Sequence, residues 1–224
     1  MIAFVSANSY GLVLLLIIVT YSLAVAASGS LAAPMVAFVQ IVTVWMALRT
    51  SRSSPPVRIA AGVILAATAI IAILEVSVGD TDDPSPWIFV ASGVLYLIAP
   101  IAMVRHLAVR HVVDQETVLG AVAAYLMIGM FFAFAYRFLE AAQAGPFFGA
   151  AGNQTMAQIL FFSFTTLTTT GYGNLVPEGN PGQSLAVAEM LIGQLFLITA
   201  VSKVVTAWRP RWSTQDNPPQ DGRP

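Results

Sequence analysis

No charged side chain occurs anywhere between Met1 and Leu48. A soluble fold of that length would have to cover its apolar faces with polar ones, and about a quarter of the residues in an ordinary soluble domain are charged. Here 57% of the 224 residues are hydrophobic and 9% are charged. The solvent that fits such a chain is a lipid bilayer. Cysteine is absent, which excludes a disulfide framework, Cys-ligated zinc, an iron–sulfur cluster and a thiol nucleophile together. A formal net charge of −1 leaves no electrostatic footprint for nucleic acid, so none is expected as a partner.

A hydrocarbon core of about 30 Å takes roughly 20 apolar residues at about 1.5 Å of rise each. Charge-free windows therefore serve as a ruler for spans. Tyr10 to Ala27 and Pro34 to Leu48 are the first two, joined through the turn residues Ser28-Gly29-Ser30. Val57 to Val78, with Arg58 and Glu75 near its ends, and the charge-free Trp87 to Val104 are the next pair, separated by the polar turn Gly79-Asp80-Thr81-Asp82-Asp83-Pro84. A fifth runs from Thr117 to Tyr136, and a last helical pattern from Gly182 to Trp208. The expected fold is an all-α membrane protein with six transmembrane helices.

Basic residues in short loops concentrate on the cytoplasmic side. Arg49, Arg52 and Arg58 lie between spans two and three, Arg105 and Arg110 between four and five, and Lys203, Arg209, Arg211 and Arg223 at the end. All these positions fall on one side, so both termini are expected in the cytoplasm of a multi-pass cell-membrane protein. Arg137 alone falls on the other side, with Glu140 placed to pair with it at i, i+3. A cleaved secretory signal ending near Ser28 fits less well, because nothing basic precedes the apolar run and the run exceeds the usual signal core.

The 37 residues between Glu140 and Glu178 carry no charge, too many for one crossing and too broken for two. Glycine and proline interrupt the stretch early, at Gly145-Pro146 and Gly149 to Asn153, and late, at Gly171, Gly173 and Pro177. Between them Gln154 to Thr168 reads as a short helix, capped by Asn153 or Thr155. Both ends must lie outside, so the helix enters the membrane and returns. Irregular backbone at that depth requires surrounding protein or a water-filled cavity.

The residues after this helix are Thr168-Thr169-Thr170-Gly171-Tyr172-Gly173-Asn174. They resemble the Thr-Val-Gly-Tyr-Gly selectivity filter of the potassium channel family. Phe161 to Leu167 before them and Leu175-Val176-Pro177 after them resemble the pore loop of its bacterial members. The resemblance spans about Thr117 to Trp208. It implies that K+ sits at the backbone carbonyls of Thr169, Thr170, Gly171 and Tyr172, with the Thr169 hydroxyl, and that Gly173 completes the filter. Carbonyl dipoles replace the ion's hydration shell without a full trapping charge. Gly171 and Gly173 lack a Cβ and tolerate the backbone that aims successive carbonyls inward. The Tyr172 ring would point away from the pore, and the short helix would direct its partly negative C-terminal end at the cavity. One chain carries one such loop and a ring of carbonyls needs four, so a homotetramer is expected.

Gln183 to Trp208 is then the pore-lining helix. If Gln194 faces the cavity, as the resemblance implies, the helical period also turns Leu197, Ile198 and Val201 toward it. Gly193 occupies the family's hinge-glycine position; close approach of another helix explains a glycine there equally well. Glu189, an ionisable group inside a span, is a functional candidate by default. It lies about 140° around the helix from Gln194 and is expected to support the filter through Gln183 or pore-helix hydroxyls. Glu75 has the simpler reading of reaching the headgroup region.

The sequence departs from the family pattern in several places, Thr170 in the filter among them. Asn174 stands where Asp is commonest, Phe162 where many members carry a hydrogen-bonding Trp, and Thr165 where some carry a glutamate. A phenyl ring donates no hydrogen bond, so bracing behind the filter is expected to be weaker or differently built, and the filter to inactivate more readily.

Three segments are expected: a four-helix transmembrane domain over 1–112, a pore domain over 113–208 and a disordered tail over 209–224. Span four carries no Lys or Arg between Trp87 and Val104. Conventional voltage gating, which moves several charges worth about 2.3 kcal/mol each per 100 mV, is not expected. His106 and His111, in the linker after span four, suit either an interfacial position or a proton switch. The expected function is passive K+ conduction with no cofactor beyond the K+ ions themselves. A non-selective cation channel and a non-conducting regulatory subunit are the alternatives. An enzyme is not expected, since the two histidines share one linker and no paired intramembrane Asp occurs. A monomeric transporter would need four filter-like loops in one chain.

Overall fold

The computed structural model describes residues 9–26, 32–51, 55–78, 86–108, 114–143 and 145–207. They form seven α-helices and one short 3-10 turn. The helices are α1 (Ser9–Ala26), α2 (Ala32–Thr50), α3 (Pro55–Val78), α4 (Pro86–Ala108), α5 (Gln115–Ala142), α6 (Met156–Leu167) and α7 (Asn180–Ala207). The 3-10 turn, Gly149–Ala151, lies between α5 and α6. A helix bonds its backbone polar groups within its own segment, which is what the interior of a bilayer demands. Buried hydroxyls obey the same constraint: those of Thr20, Thr43 and Thr68 donate to the carbonyls of Leu16, Val39 and Ile64 at 2.7–2.8 Å.

Phe89–Ala108, Gln115–Ala142 and Asn180–Val205 are long and apolar enough to cross a membrane. The described apolar stretches of α1, α2 and α3, at Tyr10–Ala26, Phe38–Thr50 and Ile59–Ile70, are shorter. The acidic turn at Asp80, Asp82 and Asp83, Arg52, Arg110, His111, Trp208 and the tail 209–224 lie outside the described residues. So do the side chains of Arg58 and Glu75.

The most extensive packing joins α4 to α5, and α1 also lies along α5. Tyr96 of α4 stacks on Phe134 of α5 at 5.6 Å. Gln40 of α2 donates to the Ser92 carbonyl of α4 at 3.3 Å. The first four helices thus pack on one another, with α1 and α4 laid against α5, while α5, α6 and α7 pack on one another.

Two helices outrun their expected ends. The charge-free window places the end of α5 at Tyr136, yet the helix continues to Ala142. Arg137 and Glu140 are ion-paired one turn apart, and Glu140 also accepts from the backbone N–H of Gln154 at 2.9 Å. The charges neutralise each other and so do not break the helix. The window also places the end of α4 at Val104, but α4 reaches Ala108, with Arg105 and His106 in its last turn, where cations complement the helix dipole. At the other end of α5, Asp114 caps the helix by accepting from the N–H and the hydroxyl of Thr117, at 2.8 and 2.6 Å.

Candidate functional site

The short helix α6 is set by its own sequence. Thr155 is the cap: its backbone N–H donates to Oε1 of Gln158 at 2.9 Å, and its hydroxyl oxygen accepts from the Gln158 N–H at 3.4 Å. Asn153 does not take this role. The Thr-x-x-Gln spacing is a reciprocal capping signal that settles the choice between the two residues. Glu140 and Arg137, which sit over Gln154, fix where α6 begins.

At its other end α6 runs into Thr168–Asn174, all of them exposed in the single chain. The N–H of Thr169 donates to the Thr166 carbonyl at 2.9 Å. Those of Thr170 and Gly171 both donate to the Thr165 carbonyl, at 2.8 and 3.1 Å. A trans peptide holds its C=O opposite its N–H, and no cis bond occurs among the described residues. Tying these three N–H groups back to α6 therefore turns the carbonyls of Thr168, Thr169 and Thr170 away from it. Backbone hand alternates along the same segment: φ is +57° at Thr169, +53° at Gly171 and +75° at Gly173, and is not positive at Thr170 or Tyr172. Glycine meets this demand without penalty at two of the three positions. Thr169 meets it as a non-glycine residue, a feature the sequence does not announce.

The Tyr172 ring is 69% exposed and stacks on Phe161 of α6, with centroids 5.6 Å apart and planes at 14°. Thr165 contributes through its carbonyl; its hydroxyl donates to the Phe162 carbonyl at 2.9 Å. Phe162 is buried between Tyr136 and Phe148, edge-on to both at 4.9 and 5.1 Å. Its ring braces by packing, as a side chain without a donor must. Asn174 and Val176 are exposed. Beyond them the chain is pinned again, by the Glu178 N–H donating to the Phe147 carbonyl at 3.0 Å and by Gln183 Nε2 donating to the Pro177 carbonyl at 3.0 Å.

Glu189 of α7 is fully buried. Of the two partners the sequence allows, it meets the pore-helix hydroxyl: Ser163 Oγ lies 2.6 Å from Oε1, and Tyr136 OH donates to Oε2 at 2.7 Å. Gly193 lies against the end of α6, where an added Cβ would stand 2.3 Å from the Leu167 carbonyl oxygen. That same carbonyl accepts from Tyr125 OH at 3.2 Å. Gln194, Leu197, Ile198 and Val201 all point away from the chain's own core and are exposed. The buried stripe of α7 contains instead Gly182, Ala186, Glu189 and Gly193, the i, i+3, i+4 spacing of one helix face.

Sequence reasoning does not find the contacts of Tyr136, Tyr125 or Phe161, and reaches Ser163 only as one of several hydroxyls on the short helix, because ordinary residue types in apolar helices do not announce remote partners. Nor does it find that Lys203 Nζ, on α7, donates to the carbonyls of Leu107 and Ala108, the latter at 3.0 Å. These are open carbonyls of the last turn of α4. His106 is half-buried in that same turn.

Comparison with known proteins agrees with this arrangement. Residues 121–209 match a protein family described as ion channel. The curated relatives include the voltage-gated delayed rectifier potassium channel KCNH1 of rat and of human, each 32% identical over 65 residues. That match covers 29% of this chain and 7% of either relative, so the chain spans a small part of the relatives it resembles. No solved structure matches. Residues 121–209, which hold most of α5, all of α6, the Thr-x-Gly-Tyr-Gly segment and α7, are thus similar to ion channels, and a 65-residue stretch of the chain is similar to a potassium channel.

Proposed function

We propose that the chain is the subunit of a potassium-selective homotetrameric channel, conducting passively and without a conventional voltage sensor. The observation that carries this reading is the set of carbonyls at Thr168, Thr169 and Thr170 turned off the C-terminal end of α6 by hydrogen bonds to Thr165 and Thr166. Four copies of such a segment around an axis make rings of oxygen dipoles that replace a cation's water. The ion sites are assigned to Thr169, Thr170, Gly171 and Tyr172, closed by Gly173.

The exposed surface of α7 supports assembly. Leu191, Leu195, Ile198, Val201 and Val205 are each more than half exposed. In a tetramer that surface divides between the neighbouring subunits and the cavity, which Gln194, Leu197, Ile198 and Val201 would line. With α1, α2 and α3 as further spans, the subunit has six, and residues 1–112 form a peripheral domain against the pore domain 113–208. The ends of α4 and α7 meet at Lys203, and Arg137 lies at the opposite end of α5; this supports cytoplasmic termini under the basic-residue rule.

The relatives are named for voltage gating, but α4 carries no Lys or Arg before Arg105 in its last turn. A sensor needs several such charges within the membrane.

The test is K+ flux and K+/Na+ reversal potential in liposomes containing only this protein. Potassium-selective flux is expected. Equal permeability to Na+ would establish the non-selective reading instead, and silence from a folded tetramer the regulatory one. A finer expectation concerns Val176, 59% exposed just beyond the filter. External tetraethylammonium should block weakly, and Val176→Tyr should tighten block by about fivefold, since a cation–π contact contributes about 1 kcal/mol. Tight block of the parent channel would contradict the assignment of this residue to the outer mouth.

A further inference from the structure

The hydroxyl of Ser163 has one proton and two acceptors. Its Oγ is 2.6 Å from Oε1 of Glu189 and 2.7 Å from the carbonyl oxygen of Gly129. A serine can donate to one of these only, and an ionised carboxylate and a carbonyl are both acceptors without a proton to give. With Glu189 ionised, one of two short O···O contacts would bring lone pairs face to face in a buried site. No described basic side chain is ion-paired with Glu189: Arg137 is committed to Glu140. The titratable groups facing it are Tyr136, which donates to its Oε2, and Tyr125, whose hydroxyl donates elsewhere, to the Leu167 carbonyl. An unpaired buried anion would cost several kcal/mol.

One arrangement satisfies every atom. Tyr136 OH donates to Glu189 Oε2, Glu189 Oε1–H donates to Ser163 Oγ, and Ser163 Oγ–H donates to the Gly129 carbonyl. We propose that Glu189 is a positioning residue for the filter and acts as an uncharged carboxylic acid, the middle link of a hydrogen-bond relay that joins α5, α6 and α7. The relay grips α6 at Ser163, two and three residues before the Thr165 and Thr166 carbonyls that hold the filter's N–H groups. It supplies from the inner helix the polar brace that Phe162 cannot supply from the pore helix. The inference rests on the assignment of Thr169–Gly173 as the ion path.

The experiment uses the full-length chain in liposomes, with assembly checked by size-exclusion chromatography. Glu189→Gln keeps an acceptor for Tyr136 and a donor for Ser163 without a charge; its K+/Na+ permeability ratio should stay within about twofold of the parent. Glu189→Ala removes both links and should lower that ratio by about tenfold, the scale of one lost buried hydrogen bond. Ser163→Ala cuts the relay without touching the carboxyl, should do the same, and serves where Glu189→Ala fails to assemble. Infrared spectra of the parent at neutral pH should show the carbonyl stretch of a protonated carboxylic acid, lost in Glu189→Gln. Loss of selectivity in an assembled Glu189→Gln, or no acid band in the parent, would overturn the uncharged relay. Parent-like selectivity in both Glu189→Ala and Ser163→Ala would overturn the positioning role. A parent that assembles but passes no K+ selectively would defeat the channel assignment, while the infrared band would still report on the relay.

Discussion

Gly171→Ala is expected to abolish potassium-selective flux while leaving the subunit folded and assembled. A Cβ at Gly171 meets no atom within 4 Å, so the substitution creates no clash within the chain. Its cost is conformational: φ is +53°, and an L-residue pays about 1–2 kcal/mol to hold the left-handed region. In the proposed tetramer a ring of four pays it four times. At about 1 kcal/mol per subunit, the conducting conformation loses about a thousandfold in relative population. The filter would relax to a backbone that breaks the alternation running from Thr169 to Gly173. Reversal potentials and K+ flux read the result directly. A Gly171→Ala channel with the parent's selectivity would remove the conducting role from this segment.

Gly193→Ala is expected to weaken the assembly itself, and the sign of its effect separates the two explanations for a glycine there. A glycine that serves only as a pivot costs the helix about 1 kcal/mol relative to alanine, so replacing it should stabilise α7. The structure gives it a different job. The new Cβ would sit 2.3 Å from the Leu167 carbonyl oxygen and 2.9 Å from Leu167 Cδ1, and backbone cannot move aside as a flexible side chain can. Overpacking of this kind costs about 1–3 kcal/mol. The Tm of the purified assembly should fall, and flux with it, because Leu167 ends the helix that holds the filter. An unchanged or raised Tm would leave the hinge as the better account.

Much of this architecture is readable from where charge is missing. The gap from Met1 to Leu48 contains most of the first two helices, and the gap from Glu140 to Glu178 contains the short helix α6, because a bilayer penalises charge over a length that backbone geometry fixes. The Thr-x-Gly-Tyr-Gly segment is legible because only glycine holds left-handed backbone without strain. Legibility ends where partners are remote in sequence. Glu189 can be recognised as anomalous from its span alone, but both Gln183 and a pore-helix hydroxyl lie within reach on paper; packing of α6 against α7 makes it Ser163 and leaves Gln183 to hold Pro177. Charge as a ruler also fails where charges cancel, which is why α5 continues through Arg137 and Glu140 to Ala142. Thr169 at positive φ has no sequence signature, since threonine there follows from the hydrogen bonds around it and not from its own preference.

The contact of Lys203 with the end of α4 sets a mechanical limit on the inner helix. Ten residues, about 15 Å of helix, separate Gly193 from Lys203. A bend of about 10° at Gly193 would carry the Lys203 backbone sideways by about 2.6 Å, enough to part an ammonium from the carbonyls of Leu107 and Ala108 unless its flexible stem follows. Small displacements are absorbed by the four-carbon tether and larger ones pull on α4. In the proposed channel the helices before α5 would therefore act on the pore like a spring with slack, silent over small inner-helix travel and resisting beyond it.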